Sequence, residues 1–220
     1  MSHAAVIVAV DVVNPNDREE IKAAVAFQME PYDEKDEWFR DGSRWDWYVI
    51  GGRFTGLLSD YDPSTDPRNM ETCRVCGGTG IRPGGLEEFG QSWFDGCNGC
   101  NGCHGVGKSL AWNFVPFDGD VVQVKNLTKT DVNSYAFLRE RHWHEGERMG
   151  WFGVSAATEC EIKAGDDPDV LTKKCLTVGD EDARIVTWNE PWELWKENFY
   201  RRFISPLHPD TVLVVVDYHV

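Results

Sequence analysis

Two continuous apolar runs lie near the two ends of the sequence. Residues 4–10 are Ala-Ala-Val-Ile-Val-Ala-Val, and residues 211–216 are Thr-Val-Leu-Val-Val-Val. A strand with one solvated face alternates polar and apolar residues, so unbroken β-branched runs indicate strands that are covered on both faces. We therefore predict that both ends of the chain contribute strands to one sheet. Shorter strands are predicted at residues 45–50, 121–124, 135–138, 142–145 and 184–188.

Two segments carry apolar residues at the spacing of one helical face. In the first, predicted at about residues 17–29, Asn16 and Glu19 fit a capping box. The second is predicted at about residues 190–204, with Asn189 as its cap and four aromatic residues on one face: Trp192, Trp195, Phe199 and Phe203. The whole pattern predicts an α+β fold, in which a mostly antiparallel sheet is packed by two helices.

Five of the seven cysteines lie within residues 73–103, which indicates one site rather than scattered thiols. The motif CxxCxGxG occurs there twice, as Cys73-Arg-Val-Cys76-Gly-Gly-Thr-Gly80 and as Cys100-Asn-Gly-Cys103-His-Gly-Val-Gly107. Each CxxC turn brings two thiolates to one ion, and the glycines let backbone N–H groups face the sulfurs. Four thiolates in a tetrahedron form the closed structural site that zinc prefers. We therefore predict one structural zinc ion, bound by Cys73, Cys76, Cys100 and Cys103.

The zinc-binding segment, which we call the finger, is predicted to be an insertion in a single α+β domain. Residues 60–69 are rich in Asp, Pro, Ser and Thr, and this composition is typical of a linker. The predicted organisation is a first part of the α+β domain at residues 1–70, a zinc-finger insertion at residues 71–108, and the second part of the domain at residues 109–220.

An alternative cysteine register stays open. Cys97 and Cys100 also form a CxxC, and 20 residues separate Cys76 from Cys97, which is a common zinc-ribbon spacing. Cys100 and Cys103 are preferred because only they carry the full glycine pattern, and Cys97 is kept as the alternative ligand. A redox role for CxxC is disfavoured because no βαβ pattern surrounds it.

Residues 102–109 also match the phosphate-binding pattern GxxxxGK[ST]. That loop needs a buried strand before it and a long helix after it. Here Asn98-Gly-Cys-Asn101 precedes the match, and Pro116 limits any following helix to about two turns. Nucleotide hydrolysis at this segment is therefore disfavoured.

The repeated cysteine motif resembles the zinc domain of the DnaJ-type chaperones. The full domain of that family has four such motifs and two zinc ions, so two motifs here imply one ion. The tripeptide His208-Pro209-Asp210 of the J-domain signature occurs in the sequence, but the apolar run predicted to be a strand follows it at once, whereas a J-domain has a helix there. Co-chaperone activity is therefore not implied.

Three further segments resemble a family of uncharacterised proteins encoded mainly by tailed phages and prophages of actinobacteria. They are Asp46-Trp-Tyr-Val-Ile-Gly-Gly-Arg-Phe54, Met149-Gly-Trp-Phe-Gly153 and Val215-Val-Asp-Tyr-His-Val220. Paired CxxC motifs between the first two segments are typical of that group, and the resemblance spans about residues 4–220. It implies a phage context, in the cytoplasm of a bacterial host, but no mechanism.

The chain is strongly acidic, with 37 acidic and 22 basic residues and a net charge of −15. Residues 73–107 carry only three acidic and two basic residues, so the excess lies in the remainder of the chain. A surface of this sign repels a phosphate backbone and favours a basic protein partner. No apolar run is long enough to span a bilayer, and no secretory signal precedes the first strand. The leading hypothesis is an acidic, non-enzymatic binding protein that engages a host or defence protein, by nucleic-acid mimicry in one version.

A second hypothesis is a small-ligand or nucleotide-binding protein or a metal-dependent enzyme. A Gly51-Gly52-Arg53 turn can hold a phosphate, with Arg53 as the clamp. His142 and His144 alternate on a predicted strand beside Glu145, which supplies part of a metal site.

Asp11 and Asp217 each follow a buried run, and their carboxylates would meet if the two strands were parallel. Four tryptophans near turns are expected either to form an interaction surface or to cover the sheet: Trp45, Trp47, Trp143 and Trp151. Nucleic-acid binding by the finger ranks last because its bases are few: Arg74, Arg82 and Lys108.

Overall fold

The computed structural model describes residues 3–34, 42–81, 99–146, 173–177, 182–188 and 190–219. Within them the chain divides into two compact units. The larger unit comprises Met1–Tyr61 and Pro116–Val220, and the smaller unit is Asp62–Val115. The smaller unit therefore begins before the predicted insertion at residues 71–108 and ends after it.

The larger unit contains eight described strands and two described α-helices. In chain order the elements of both units are β1 (His3–Val10), α1 (Arg18–Met29), β2 (Trp47–Ile50), β3 (Met70–Thr72), β4 (Lys108–Leu110), β5 (Val121–Gln123), β6 (Ala136–Arg139), β7 (His142–Gly146), β8 (Lys173–Thr177), β9 (Arg184–Trp188), α2 (Trp192–Phe199) and β10 (Val212–His219). Strands β3 and β4 belong to the smaller unit, and the other elements belong to the larger one.

The sheet of the larger unit is mostly antiparallel, as predicted. Its strand order is β2-β10-β1-β6-β7-β9-β8, and β5 also pairs with β10. Among the named strands of this sheet that the structure describes, only the pairs β1–β6 and β7–β9 are parallel. The two terminal strands pair with each other, with Val6 opposite Val216, so the prediction that both ends join one sheet is confirmed.

Both faces of the central strands are buried, which explains their unbroken apolar runs. Val6 and Val8 of β1 pack on the α1 side, against Ile21 and Val25. The alternate residues of β1 pack on the α2 side, together with the following set of aromatic residues: Trp195, Phe199 and Phe203. Since each fully buried Val, Ile or Phe contributes about 1.5–3 kcal/mol, these two layers hold the unit together.

The N-cap of helix α1 is Asp17, one residue after the predicted cap Asn16. The side chain of Asp17 accepts hydrogen bonds from the backbone N–H groups of Glu19 and Glu20. The carboxylate of Glu20 reaches back to the amides of Val13 and Asn14 at 2.7 and 3.0 Å. The predicted capping box of Asn16 and Glu19 is therefore wrong, because Asp17 and Glu20 have the same spacing and supply the bonds instead.

Helix α2 covers the first part of the second predicted helix. It follows Pro191, and a π-helical turn at Tyr200–Ile204 continues it. The predicted cap, Asn189, lies outside the described residues. The aromatic face is buried against the sheet as the spacing predicted, and Trp195 and Phe199 are fully enclosed.

The smaller unit has almost no apolar core among its described residues. Its buried cluster consists of the four cysteines. Antiparallel pairing of β3 with β4 closes the base of the cysteine loops, with Glu71 opposite Ser109. Buried Asn69 fixes the approach to this pair, since its side chain accepts from the amide of Val115 and donates to the carbonyl of Pro63. A unit built in this way depends on its cysteines for order.

Candidate metal centre

The four predicted cysteines converge on one point. The sulfur of Cys73 lies 3.8 Å from that of Cys100, and the sulfur of Cys76 lies 3.7 Å from that of Cys103. All four sulfurs lie within 4.8 Å of one another and are buried. A tetrahedron of thiolates bound at about 2.3 Å has edges of about 3.8 Å, so the spacing fits a single ion.

The two halves of the site repeat each other in backbone geometry. We call residues 73–80 the first knuckle and residues 100–107 the second knuckle. The N–H of Cys73 donates to the carbonyl of Gly107 at 3.0 Å, and the N–H of Cys100 donates to the carbonyl of Gly80 at 2.6 Å. Each knuckle thus begins on a hydrogen bond to the end of the other.

The glycines of the motif are required where the knuckles touch. Gly80 and Gly107 have φ values of +74° and +79°, which side-chain-bearing residues rarely adopt. A Cβ at Gly80 would lie 2.3 Å from the carbonyl oxygen of Gly105, and a Cβ at Gly107 would lie 2.3 Å from that of Gly78. The second glycine of each motif therefore allows the backbones to approach closely.

Backbone amides face the sulfurs, as the motif predicted. The amides of Gly80 and Gly107 lie 3.3 and 3.1 Å from the sulfurs of Cys76 and Cys103. Burial acts to raise the pKa of Cys76, but amide donors led by Gly80, together with the neighbouring thiols, lower it to about 6. Burial raises the pKa of Cys100 to about 11. The amide donors thus favour the thiolate form of Cys76, and metal ligation requires thiolates.

The other cysteine register is not among the described contacts. Cys97, the alternative ligand, lies outside the described residues. Within the described residues, the four cysteines are the only group of three or more Cys, His, Asp or Glu side chains close enough to share an ion. In the phosphate-loop match, Lys108 and Ser109 begin strand β4 instead of a helix. The segment lacks the helix N-terminus that would bind phosphate.

Within the described residues, no shared metal site links the two histidines of β7 to Glu145. Side chains alternate along a strand, so His142 and His144 share one face and Glu145 takes the other. Glu145 is buried and accepts two hydrogen bonds from Arg44, at 2.8 and 2.9 Å. His144 packs among aromatic rings and lies 3.3 Å from the indole nitrogen of Trp188. The three residues therefore do not converge.

Asp217 and Arg53 meet, but in an internal contact. The carboxylate of Asp217 is buried and accepts from the backbone N–H of Arg53 at 2.8 Å. A Cβ at Gly51 would lie 2.4 Å from Asp120, and one at Gly52 would lie 2.5 Å from Asp217. The two glycines thus make room for buried carboxylates, and a phosphate at this turn would meet two like charges. Because β1 and β10 are antiparallel, Asp11 and Asp217 do not share an edge as the parallel arrangement required.

The tryptophan candidates separate into internal and exposed residues. Trp143 is fully buried, and Trp45 is partly buried with its indole N–H donating to the carbonyl of Met29 at 3.0 Å. Trp47 is 48% exposed and is the one of these three described residues that remains a surface candidate. Trp151 lies outside the described residues.

Two histidine–aspartate contacts near Trp47 were not predicted. His3 lies beside Asp217, and His219 lies beside Asp46. Each histidine flanks one of the two terminal apolar runs, so their proximity follows once those strands are paired. The sequence alone does not give the register that places them opposite each other.

Comparisons with protein-family models, with curated proteins and with solved structures found no match to this chain. The resemblances noted in the sequence therefore remain expectations. None of the helices among the described residues has the length and apolar content needed to cross a bilayer.

Proposed function

We propose that the cysteine site holds one structural zinc ion and that the protein is a non-enzymatic binding protein. The observation that carries this proposal is the set of four sulfurs at the spacing of a single tetrahedral ion. With four thiolate ligands the ion has no open position for substrate or water, and this is the mark of a structural zinc site. Its role is to order a unit whose described part has no other buried cluster.

Zinc is favoured over an iron–sulfur cluster by the size of the site. In a cluster the thiolates bind different irons, so their sulfurs lie farther apart than the ligands of one ion. Here the largest sulfur–sulfur separation is below 4.8 Å. Among single ions that four thiolates can bind, zinc is redox-inactive. Its d-electrons also impose no preferred geometry, so it accepts the bond angles that the knuckles set.

The binding role is supported by apolar side chains on the smaller unit. Their exposed fractions reach 72% at Val106 and 71% at Trp112. The exposed large apolar residues of this unit are Val75, Ile81, Val106, Leu110 and Trp112. These side chains are available for the apolar contacts that a protein partner would bury.

The charge of the chain narrows the class of partner. At a net charge of −15, long-range attraction favours a basic protein and disfavours nucleic acid. The proposed partner is a host or defence protein, in keeping with the phage-type resemblance. If the protein acts by mimicry of nucleic acid, a basic channel of the partner recognises its acidic surface.

Zinc content tests the metal half of the proposal. Native mass spectrometry of the untagged chain should show one zinc ion, which Cys100→Ser removes and Cys97→Ser retains. Loss of the ion on Cys97→Ser, with retention on Cys103→Ser, would establish the alternative register. An iron signal, together with charge-transfer absorption, would show that the resident ion is iron and not zinc.

Affinity capture from bacterial lysate tests the binding half. The zinc-loaded chain should retain a stoichiometric basic protein at low salt, and Val106→Asp should release it. Val13→Asp is the matched control, because Val13 is 96% exposed and lies in the larger unit. Equal capture by Val106→Asp would exclude the apolar surface, and capture unchanged by salt would exclude mimicry. Unaltered zinc content in each variant shows that the smaller unit is still folded.

A further inference from the structure

A second group of reactive side chains lies where β1, β10 and β2 run side by side. His3 is directly opposite His219, and His219 is directly opposite Trp47. Directly opposite residues project from the same face of a sheet, so the two imidazoles and the indole form one row. The centroids of the two imidazoles are 5.1 Å apart, and His3 meets Trp47 edge-on at 6.1 Å.

Each imidazole is held by its own carboxylate. Asp217 lies 2.8 Å from Nδ1 of His3, and Asp46 lies 2.7 Å from Nδ1 of His219. A carboxylate that accepts from Nδ1–H selects the tautomer in which Nε2 carries the lone pair. Within the described residues, no hydrogen bond engages Nε2 of either ring. The side chains of His3 and His219 keep 16% and 15% of their surface exposed, so neither imidazole is fully enclosed.

We propose that His3 and His219 bind one divalent transition-metal ion of the zinc type through their Nε2 atoms, with water completing the coordination. Two imidazoles bound to a tetrahedral ion at about 2.0–2.1 Å have centroids about 5.2 Å apart. The observed separation is 5.1 Å. Imidazole selects zinc and its neighbours over magnesium or calcium, which prefer oxygen.

The two carboxylates act as outer-sphere partners of this site. Metal-bound histidines commonly donate their other N–H to a carboxylate, which fixes the ring and raises its basicity. Asp217 is itself fixed, because it is buried and accepts from the amide of Arg53 at 2.8 Å. The negative charge of both carboxylates further favours a cation. With only two protein ligands, the ion exchanges readily, unlike one held by four buried thiolates.

Isothermal titration with zinc chloride tests the site in the untagged full chain after the cysteine site is filled. The wild type should bind one further equivalent, and His219→Gln should abolish that binding. Asp46→Asn should weaken it by about 10- to 100-fold, the usual effect of losing an outer carboxylate. His208→Gln is the matched control, since His208 is 72% exposed and its partner Asp210 lies 3.7 Å away.

Each outcome decides the proposal. No further equivalent in the wild type would overturn it, and the two pairs would then be electrostatic contacts only. A further equivalent that survives both His219→Gln and His3→Gln would place the ion elsewhere. If His219→Gln fails to fold, Asp46→Asn decides, because Asp46 is 46% exposed and its change leaves the packing intact. Cobalt(II) absorption gives an independent readout of nitrogen ligands.

Discussion

Cys73 donates its backbone N–H to the carbonyl of Gly107 across 3.0 Å, so the first ligand of one knuckle is fixed by the last residue of the other. The matching bond from Cys100 to Gly80 makes the dependence mutual. The positions of the cysteine backbones, and with them the sulfurs, are therefore set by contacts between the knuckles as well as by each CxxC turn. Disturbing either glycine should then disturb ligands in both halves.

Replacement of Gly80 by alanine should destabilise the zinc-loaded smaller unit by at least about 2 kcal/mol. Its positive φ alone costs alanine about 1–2 kcal/mol, and the new Cβ would lie 2.3 Å from the carbonyl of Gly105. Gly107→Ala should behave alike. Urea-induced zinc release, followed with a colorimetric chelator, measures the effect in the unit that holds the metal.

Gly77→Ala is the control for these changes. Gly77 has a φ of +60°, but nothing lies within 4 Å of the added Cβ. It should therefore lose only the backbone term, about 1 kcal/mol. Equal losses at Gly77 and Gly80 would show that backbone conformation, and not close approach, explains the motif.

His104 should be a weak point of the second knuckle. It occupies the position of Gly77 in the repeated motif, and its φ of +51° is strained for a residue with a side chain. His104→Gly should raise the stability of the zinc-loaded unit by about 0.5–1 kcal/mol, after allowing for the entropy of glycine in the unfolded chain. The same zinc-release assay measures it.

Val106→Gly provides the contrasting variant, because Val106 is not among the described residues with positive φ. That change should lower stability through chain entropy alone. A loss at both positions would contradict the assignment of strain to His104.

The parts of this structure that the sequence predicted are those encoded by local spacing. The terminal strands were predictable from unbroken apolar runs. The set of four cysteines was predictable from a motif in which two residues separate the cysteines of each pair. The second helix followed from aromatics that recur on one face, because helix period fixes which side chains meet.

Contacts between distant residues were not predictable in the same way. Glu145 pairs with Arg44 across 101 positions, and His3 meets Asp217 across 214. Such contacts depend on strand order and register, and a shift of one residue would move Glu145 to the opposite face. Glu145 is adjacent to His144 in the sequence, but this did not indicate a shared site, because neighbouring side chains on a strand point to opposite faces.

Loss of Arg44 should destabilise the larger unit strongly. Arg44 and Glu145 have side chains only 8% and 1% exposed, so Arg44→Met leaves a buried carboxylate without its countercharge. We expect a loss of about 3–5 kcal/mol. Urea unfolding followed by tryptophan fluorescence measures it, because Trp143 also donates to Glu145 at 3.0 Å.

The double variant Arg44→Met with Glu145→Gln isolates the charge. Glutamine keeps an acceptor for Trp143 while removing the stranded charge, so the double variant should recover part of the loss. A double variant less stable than Arg44→Met would mean that the pair contributes through packing, and the electrostatic explanation would fail.

The stability of the larger unit should fall with acid partly through His142. Burial, followed by the nearby Arg184 guanidinium, lowers the pKa of His142 below its ordinary value of 6.5. The unfolded chain therefore takes up this proton at a higher pH than the folded protein does. Unfolding free energy should be lost as pH falls from 6.5 through the lower folded pKa, and the loss is complete below it. In His142→Gln, the unfolding free energy measured with urea should depend less steeply on pH across that window. His208→Gln changes a 72% exposed imidazole and should keep the pH dependence of the wild type. An unchanged slope in His142→Gln would assign the acid sensitivity to other groups.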